Sequence, residues 1–362
     1  MAQVKSAEAP LDTLTELRKT IRYKRLRNIQ RVTGMSRISR CHKAIKYGHD
    51  SVDIVARSYA GGDQSVSVLN VIRCGSVWAC SVCSHVQAMA ERSAISQAVT
   101  NAQAMNWTVW FLTTTIAHDH DTSLADEMQQ VADARRSWRN RAAWKCAAKE
   151  AGYRGSIRVL EITLGENGWH LHVHELLFCE KRTDMWKTDG GMRAWSKACL
   201  DAGVKPISED AQFCRQVRPG HDANYMTKWS ISDELTDPQQ QKLSPNYTVW
   251  ELADRAAAGD QYCLFKWHEY EEATFGRKRV YWSADLKTLL TIEEQPKEDE
   301  IVSEEQIISI SRNTWYRMTI CGAHLDLLER LEELPRELQR QYAKSFVRQF
   351  IFDDWIEYDA GV

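Results

Sequence analysis

The chain lacks any run of about 18 uninterrupted apolar residues, which excludes a membrane-spanning helix. Its opening, Met1-Ala2-Gln3-Val4-Lys5-Ser6-Ala7-Glu8, lacks the apolar stretch of a secretory signal. A cytoplasmic protein with no membrane partner is expected. No internal repeat and no long low-complexity tract occurs, which argues against a solenoid or a disordered chain. Acidic residues are missing from Arg18 to Lys46, where eleven Lys or Arg stand. The formal net charge of -2 therefore hides a strong segregation of charge, and a nucleic-acid partner stays open. Within that segment Arg18, Lys19, Arg22, Lys24, Arg25 and Arg27 are candidates to neutralise phosphates and release their counterions.

What is present is an ordinary globular composition: 362 residues, 43% hydrophobic and 27% charged, enough for two or three units. The ten cysteines are unevenly spread, and four of them suggest a metal site rather than disulfides in a reducing compartment, while others such as Cys146, Cys199 and Cys263 read as small core residues. Cys80-Ser81-Val82-Cys83 is a C-x₂-C knuckle with Cys74 six positions earlier and Cys41 further upstream. Four thiolates close a tetrahedral structural Zn²⁺ site, with His42 and His85 as possible substitutes.

The most informative run is Gly168-Trp169-His170-Leu171-His172-Val173-His174-Glu175-Leu176-Leu177-Phe178. A strand has a side-chain period of two, so His170, His172 and His174 share one face. Arg158 to Leu164 also reads as a strand, and Gly165-Glu166-Asn167-Gly168 is hairpin punctuation. A two-residue turn there pairs Leu164 with Trp169 and Glu161 with His172. Imidazoles plus one carboxylate, with positions open to water and substrate oxygen, suit Mg²⁺ or Mn²⁺ acting on a phosphodiester. The plainer alternative, partly buried strand histidines without metal, is weakened by having three on one face opposite a glutamate.

Along the chain, the pattern predicts a helix from Ser84 to Met105, a strand over Trp107 to Ile116, and a helix capped by Ser123 running to about Ala151. The histidine hairpin, a helix over Met192 to Asp201 and a strand over Ala211 to Val217 follow. This is an α+β unit with a mainly antiparallel sheet. Asp222 to Trp229 reads as the opening of a helix, Val249 to Leu290 as mixed, and Asn313 to Ile356 as helical with a break at Pro335. The division expected is a basic, largely helical arm (1–50), a Cys-rich zinc segment and helix (51–105), a catalytic domain (106–290), an acidic linker (291–305) and a helical C-terminal region (306–362).

A metal acting on a phosphodiester needs a nucleophile, and Tyr225 is the best candidate. Lys228, one helical turn on, is placed to lower the phenol pKa, orient the phosphate or stabilise developing charge. Taken in order, Phe111-Leu112-Thr113-Thr114-Thr115, the histidine hairpin and Tyr225-Met226-Thr227-Lys228 resemble rolling-circle replication initiators of plasmids and phages, members of the HUH endonucleases. Cys74 to Cys83, Trp267 to Arg277 and Tyr281 to Leu286 resemble further segments of that family.

The resemblance implies a five-stranded antiparallel sheet flanked by helices. It also implies metal-dependent nicking and rejoining of single-stranded origin DNA through a covalent 5′-phosphotyrosine, with a host helicase and polymerase as partners. By position, His172 and His174 match the named pair, Glu161 the acidic residue on the neighbouring strand, and His170 an accessory histidine. Two positions depart from the pattern. Glu175 stands where relatives carry an aliphatic residue, so a less buried strand face is expected there. His221 and Asp222 stand where a glutamate often activates water for termination, and either is a candidate base. A transposase or relaxase of the same chemistry, and a non-catalytic zinc-containing DNA-binding protein, are the competing readings.

Overall fold

The computed structural model describes residues 11–59, 64–204, 207–217, 247–292 and 301–351. In chain order the helices are α1 (Leu11–Val32), α2 (Ser36–Ser39), α3 (Ser81–Ala104), α4 (Leu124–Asn140), α5 (Ala142–Ala151), α6 (Met192–Asp201), α7 (Val249–Ala257), α8 (Gln261–Thr274), α9 (Leu286–Leu289), α10 (Arg312–Cys321), α11 (Ala323–Glu333) and α12 (Arg336–Arg348). The strands are β1 (Ser51–Tyr59), β2 (Gln64–Val68), β3 (Thr108–Thr115), β4 (Tyr153–Gly165), β5 (Gly168–Cys179), β6 (Phe213–Gln216), β7 (Tyr247–Thr248), β8 (Val280–Trp282) and β9 (Ile301–Ser311). No described helix is long and apolar enough to cross a membrane.

The chain divides into two compact units. One holds 11–30, 36–74 and 301–351, joining segments from both ends of the sequence. Its three-stranded antiparallel sheet runs β2-β1-β9, with Ile54 paired to Val68 on one side and Ile308 on the other. The strand β9 (301–311) covers the end of the expected acidic linker (291–305) and the start of the expected helical region. Its Glu304 and Glu305 face water while Ile307 and Ile310 are buried, so this edge strand tolerates an acidic, linker-like composition. The helical region starts at Arg312, and the expected break at Pro335 is real: Pro335 caps α12.

In α1, Tyr23, Leu26 and Ile29 are buried, so its described part is a packed helix rather than a free arm. Arg22 and Arg25 are each 7% exposed, and Arg22 forms an ion pair with buried Glu332. Arg27 pairs with Asp326, whereas Lys24 is exposed. The side chains of Arg18 and Lys19 lie outside the described residues.

The other unit, chiefly 75–292, is built on a six-stranded sheet ordered β6-β3-β5-β4-β7, with β8 also on β4; every pairing is antiparallel. Six strands replace the expected five because the last position is shared. β7 pairs with Thr163 and Leu164, and β8 with Ile157 to Val159, along one edge of β4. Ser123 caps α4, its Oγ accepting from Asp126 N–H at 3.2 Å. The helix expected to reach Ala151 breaks at Arg141, whose extended backbone ends α4 and starts α5. Across that break Trp138 and Trp144 meet edge to face, centroids 4.5 Å apart.

One face of the sheet is divided along its length. At one end Val109, Phe111, Ile157, Leu176 and Phe178 form a core with Ile95, Ala98, Val99 and Ala102 of α3 and with Leu286 and Leu290. At the other end the same face carries Thr113, Thr115, Glu161, His170, His172 and His174, by register. The apolar half fixes the strands, and the polar half is where chemistry becomes possible.

Candidate functional site

The hairpin closes with Gly165 opposite Gly168, Leu164 opposite Trp169 and Glu161 opposite His172, as the turn spacing predicts. Gly168 has φ +95°, and a Cβ there would lie 2.5 Å from the Asp119 carbonyl oxygen. Glycine is required for both reasons.

Strand β3 places Thr113 opposite His174 and Thr115 opposite His172 on the far side of β5. Thr113 Oγ1 lies 2.9 Å from His174 Nδ1, and Glu161 Oε2 lies 2.7 Å from His174 Nε2. Phe111 stacks on the His174 ring, centroids 5.7 Å apart. His174 is 1% exposed and is held on three sides. One ligand atom from each of Glu161, His172 and His174 falls within 4.8 Å of the others, a spacing at which they can hold a metal ion.

His170 stands outside that trio. Its Nδ1 lies 3.2 Å from His172 Nε2, and its ring stacks on His118 at 4.4 Å. Burial, reinforced by His172 and His118, pushes the His170 pKa down to about 3, and burial also lowers His172. Both imidazoles are thus neutral near pH 7, the state in which nitrogen binds metal. Burial opposes the charge on Glu161, but the hydrogen bond and charge of His174, with His172 and Arg279, outweigh it and hold the carboxyl below its ordinary range. An ionised Glu161 and the neutral His172 imidazole, with the His174 ring between Thr113 and Glu161, are a suitable donor set for a divalent ion.

On the opposite face Glu175 is 2% exposed, which corrects the expectation of a less buried strand there. Arg135 Nη2 donates to one of its oxygens at 2.7 Å and Arg139 Nη2 to the other at 2.6 Å. Burial alone would raise this carboxyl; the two guanidiniums override it and hold the pKa down at about 2. The same face buries Glu127, whose Oε1 accepts from Leu171 N–H at 2.9 Å. Burial pushes its pKa up to about 8 against the Leu171 hydrogen bond, and Asp119 and Glu269 add to the rise.

The four cysteines also converge. Ligand atoms of Cys41, Cys74, Cys80 and Cys83 lie within 4.8 Å of one another and can hold a metal ion. Cys80 caps α3 and Cys83 sits in its first turn. Cys74 N–H donates to Cys41 Sγ at 3.4 Å, and Gly75 follows with φ +66°.

Tyr225, Lys228, His221 and Asp222 lie outside the described residues. Thr113, His118 and Arg279 were not singled out from sequence. The signal for Thr113 was its place in a Thr-rich strand, but only the β3–β5 register assigns it to His174.

Whole-sequence comparison bears on the resemblance that the motifs carry. The chain is a distant relative of "Protein rep" of Streptomyces lividans. The two are 25% identical over 66% of this chain and 68% of that protein. A "Neomycin resistance protein" of Streptomyces cyanogenus is 28% identical over 39% of this chain and 37% of its own length. No family model matches the chain, and no solved structure does. The similarity to Protein rep agrees with the family resemblance read from the ordered motifs.

Proposed function

We propose that the protein is a plasmid or phage rolling-circle replication initiator, a nickase and strand transferase of the HUH type acting on single-stranded origin DNA. The observation that carries the reading is the trio Glu161, His172 and His174, converging on the polar half of one sheet face. The distant similarity to Protein rep supports it.

Glu161, His172 and His174 would hold Mg²⁺ or Mn²⁺, with His170 beside them as an accessory group. The ion supplies Lewis acidity to one phosphate oxygen. Thr113 keeps His174 in a single orientation, with Nε2 turned to the shared position. The Tyr225 hydroxyl oxygen forms a bond to phosphorus as the bond to the departing 3′ oxygen breaks. The phenol loses its proton and the 3′ oxygen gains one, leaving a 5′-phosphotyrosine and a free 3′-hydroxyl for the host polymerase. Lys228 stabilises the phenolate and the charge that develops on phosphate. His221 or Asp222 takes a proton from water at termination. The four-cysteine cluster holds Zn²⁺ in a structural role, and Lys24 is placed to meet the DNA backbone.

The test is covalent attachment to labelled single-stranded origin DNA, with Mn²⁺ omitted or added. Wild type forms a metal-dependent adduct; Tyr225→Phe forms none while still binding DNA, and His172→Ala loses both the adduct and Mn²⁺ binding. An adduct from Tyr225→Phe would remove this tyrosine from the mechanism. Binding without any nick or adduct in wild type would make the protein a non-catalytic DNA binder.

A further inference from the structure

The unit that carries both ends of the chain holds a helix pair that the nicking chemistry does not use. Helices α11 and α12 are separated only by Leu334 and Pro335, both extended. Gln339 of α12 is 7% exposed and its Nε2 donates back to the carbonyls of Leu331 at 2.8 Å and Leu334 at 3.2 Å. One side chain thus satisfies the last carbonyls of α11 and fixes the turn between the helices.

Arginines anchor the first half of α12. Arg336 Nη2 donates to the Ala56 carbonyl of β1 at 3.0 Å and its Nη1 to Ser58 Oγ. Arg340 Nη2 donates to the Gln306 carbonyl of β9 at 2.8 Å, and its guanidinium shares Glu305 at 3.5 Å. Ala343 and Val347 continue the buried stripe begun by Gln339.

The remaining face is polar and cationic. Gln341, Lys344, Ser345 and Arg348 are exposed, and Arg340, Lys344 and Arg348 recur every four residues, forming one row. Glu337, the only acid in the helix, is exposed on the same face in the row of Gln341 and Ser345, so Lys344 and Arg348 leave that face a net positive charge. A 13-residue helix is about 20 Å long and enters a major groove about 12 Å wide. Arginine, glutamine and serine are the side chains that read base edges there, while lysine meets phosphate. Along one flank Leu338, 46% exposed, stands in a row with the half-buried Tyr342 and Phe346, whose rings pack on each other, while Gln341, Lys344, Ser345 and Arg348 keep the rest of the exposed face polar.

We infer that α11–turn–α12 is a helix-turn-helix that binds duplex DNA, with α12 as the helix in the major groove. This contact is separate from the single-stranded substrate of the histidine site. Lys344 and Arg348 meet phosphates, and Gln341 with Ser345 faces base edges.

The test uses the full chain carrying Tyr225→Phe, so that failure of the nicking reading leaves the readout intact. Affinity for a short mixed-sequence duplex is measured against salt concentration. Lys344→Ala with Arg348→Ala is expected to weaken binding roughly 10–100-fold at 0.1 M salt and to reduce the slope of log K on log salt by about 1.8. Gln341→Ala should leave that slope intact but lower affinity for a site selected from random duplex by roughly 5–150-fold. All three side chains are exposed, so the fold survives, as a thermal melt will verify. Unchanged affinity and slope in the double variant would overturn the inference. Loss of a dimer on sedimentation, with duplex binding intact, would overturn it too and assign the face to a second copy.

Discussion

On the histidine face of β5, Glu161 turns its carboxylate to imidazole nitrogens beside which a metal fits, whereas on the helix face Glu175 commits both oxygens to guanidiniums and Glu127 has only a peptide N–H. The three carboxylates lie within one hairpin and the helix that covers it, yet their partners set three chemical states. Glu161 is ionised and able to bind a cation, Glu175 is ionised and locked, and Glu127 is protonated near pH 7. A buried acid is therefore a ligand only where its neighbours can be displaced or shared.

The largest effect that would break this comparison is expected at Glu175. Glu175→Ala leaves two arginines facing each other without an anion, and should cost about 3–5 kcal/mol in urea unfolding. Folded molecules of this variant should still form the DNA adduct. Wild-type stability would show that Arg135 and Arg139 need no buried partner.

An intermediate effect is expected at Thr113, which hydrogen-bonds His174 at Nδ1, away from the Nε2 that meets Glu161. Thr113→Val is expected to weaken Mn²⁺ binding roughly 10–100-fold, read by titration calorimetry, with the unfolding midpoint nearly unchanged. Unaltered Mn²⁺ affinity would mean that Phe111 and Glu161 suffice to position the ring.

The smallest effect concerns Glu127. Its folded pKa lies above the unfolded value, so the folded state holds a proton that the unfolded chain releases. Stability is complete below about pH 4.5, falls as pH climbs toward 8, and levels off above. Glu127→Gln should flatten that fall, with its gain over wild type confined to alkaline pH, measured from melts across pH. A slope identical to wild type would place the uptake elsewhere.

Local patterns were legible. The two glycines of the hairpin set its register, which put Glu161 opposite His172, and the C-x₂-C knuckle with Cys74 and Cys41 named the four thiols that converge. Contacts distant in sequence were not legible. Thr113 reaches His174 only through pairing of strands some sixty positions apart, and nothing local marks that register. Arg135 and Arg139 gave no sign of their target, so Glu175 looked like an exposed exception rather than half of a buried ion pair. The strand β9 was hidden by its own acidic, water-facing side chains. Tyr225 remains a reading of order and chemistry alone.

The pairing of β1 with β9 also bears on how the protein is made. Ile54 leaves the ribosome long before Ile308, its partner in the sheet, has been translated. At about 5–20 residues per second, β1 and the helix α1 wait on the order of tens of seconds for the strand and helices that complete their core. The histidine hairpin needs no such delay, because β3, β4 and β5 emerge in succession and β4 pairs with β5 across a two-residue turn. The three central strands of the histidine sheet therefore have their partners at hand early in synthesis, while the unit holding the helix pair lacks β9 and its last helices until late.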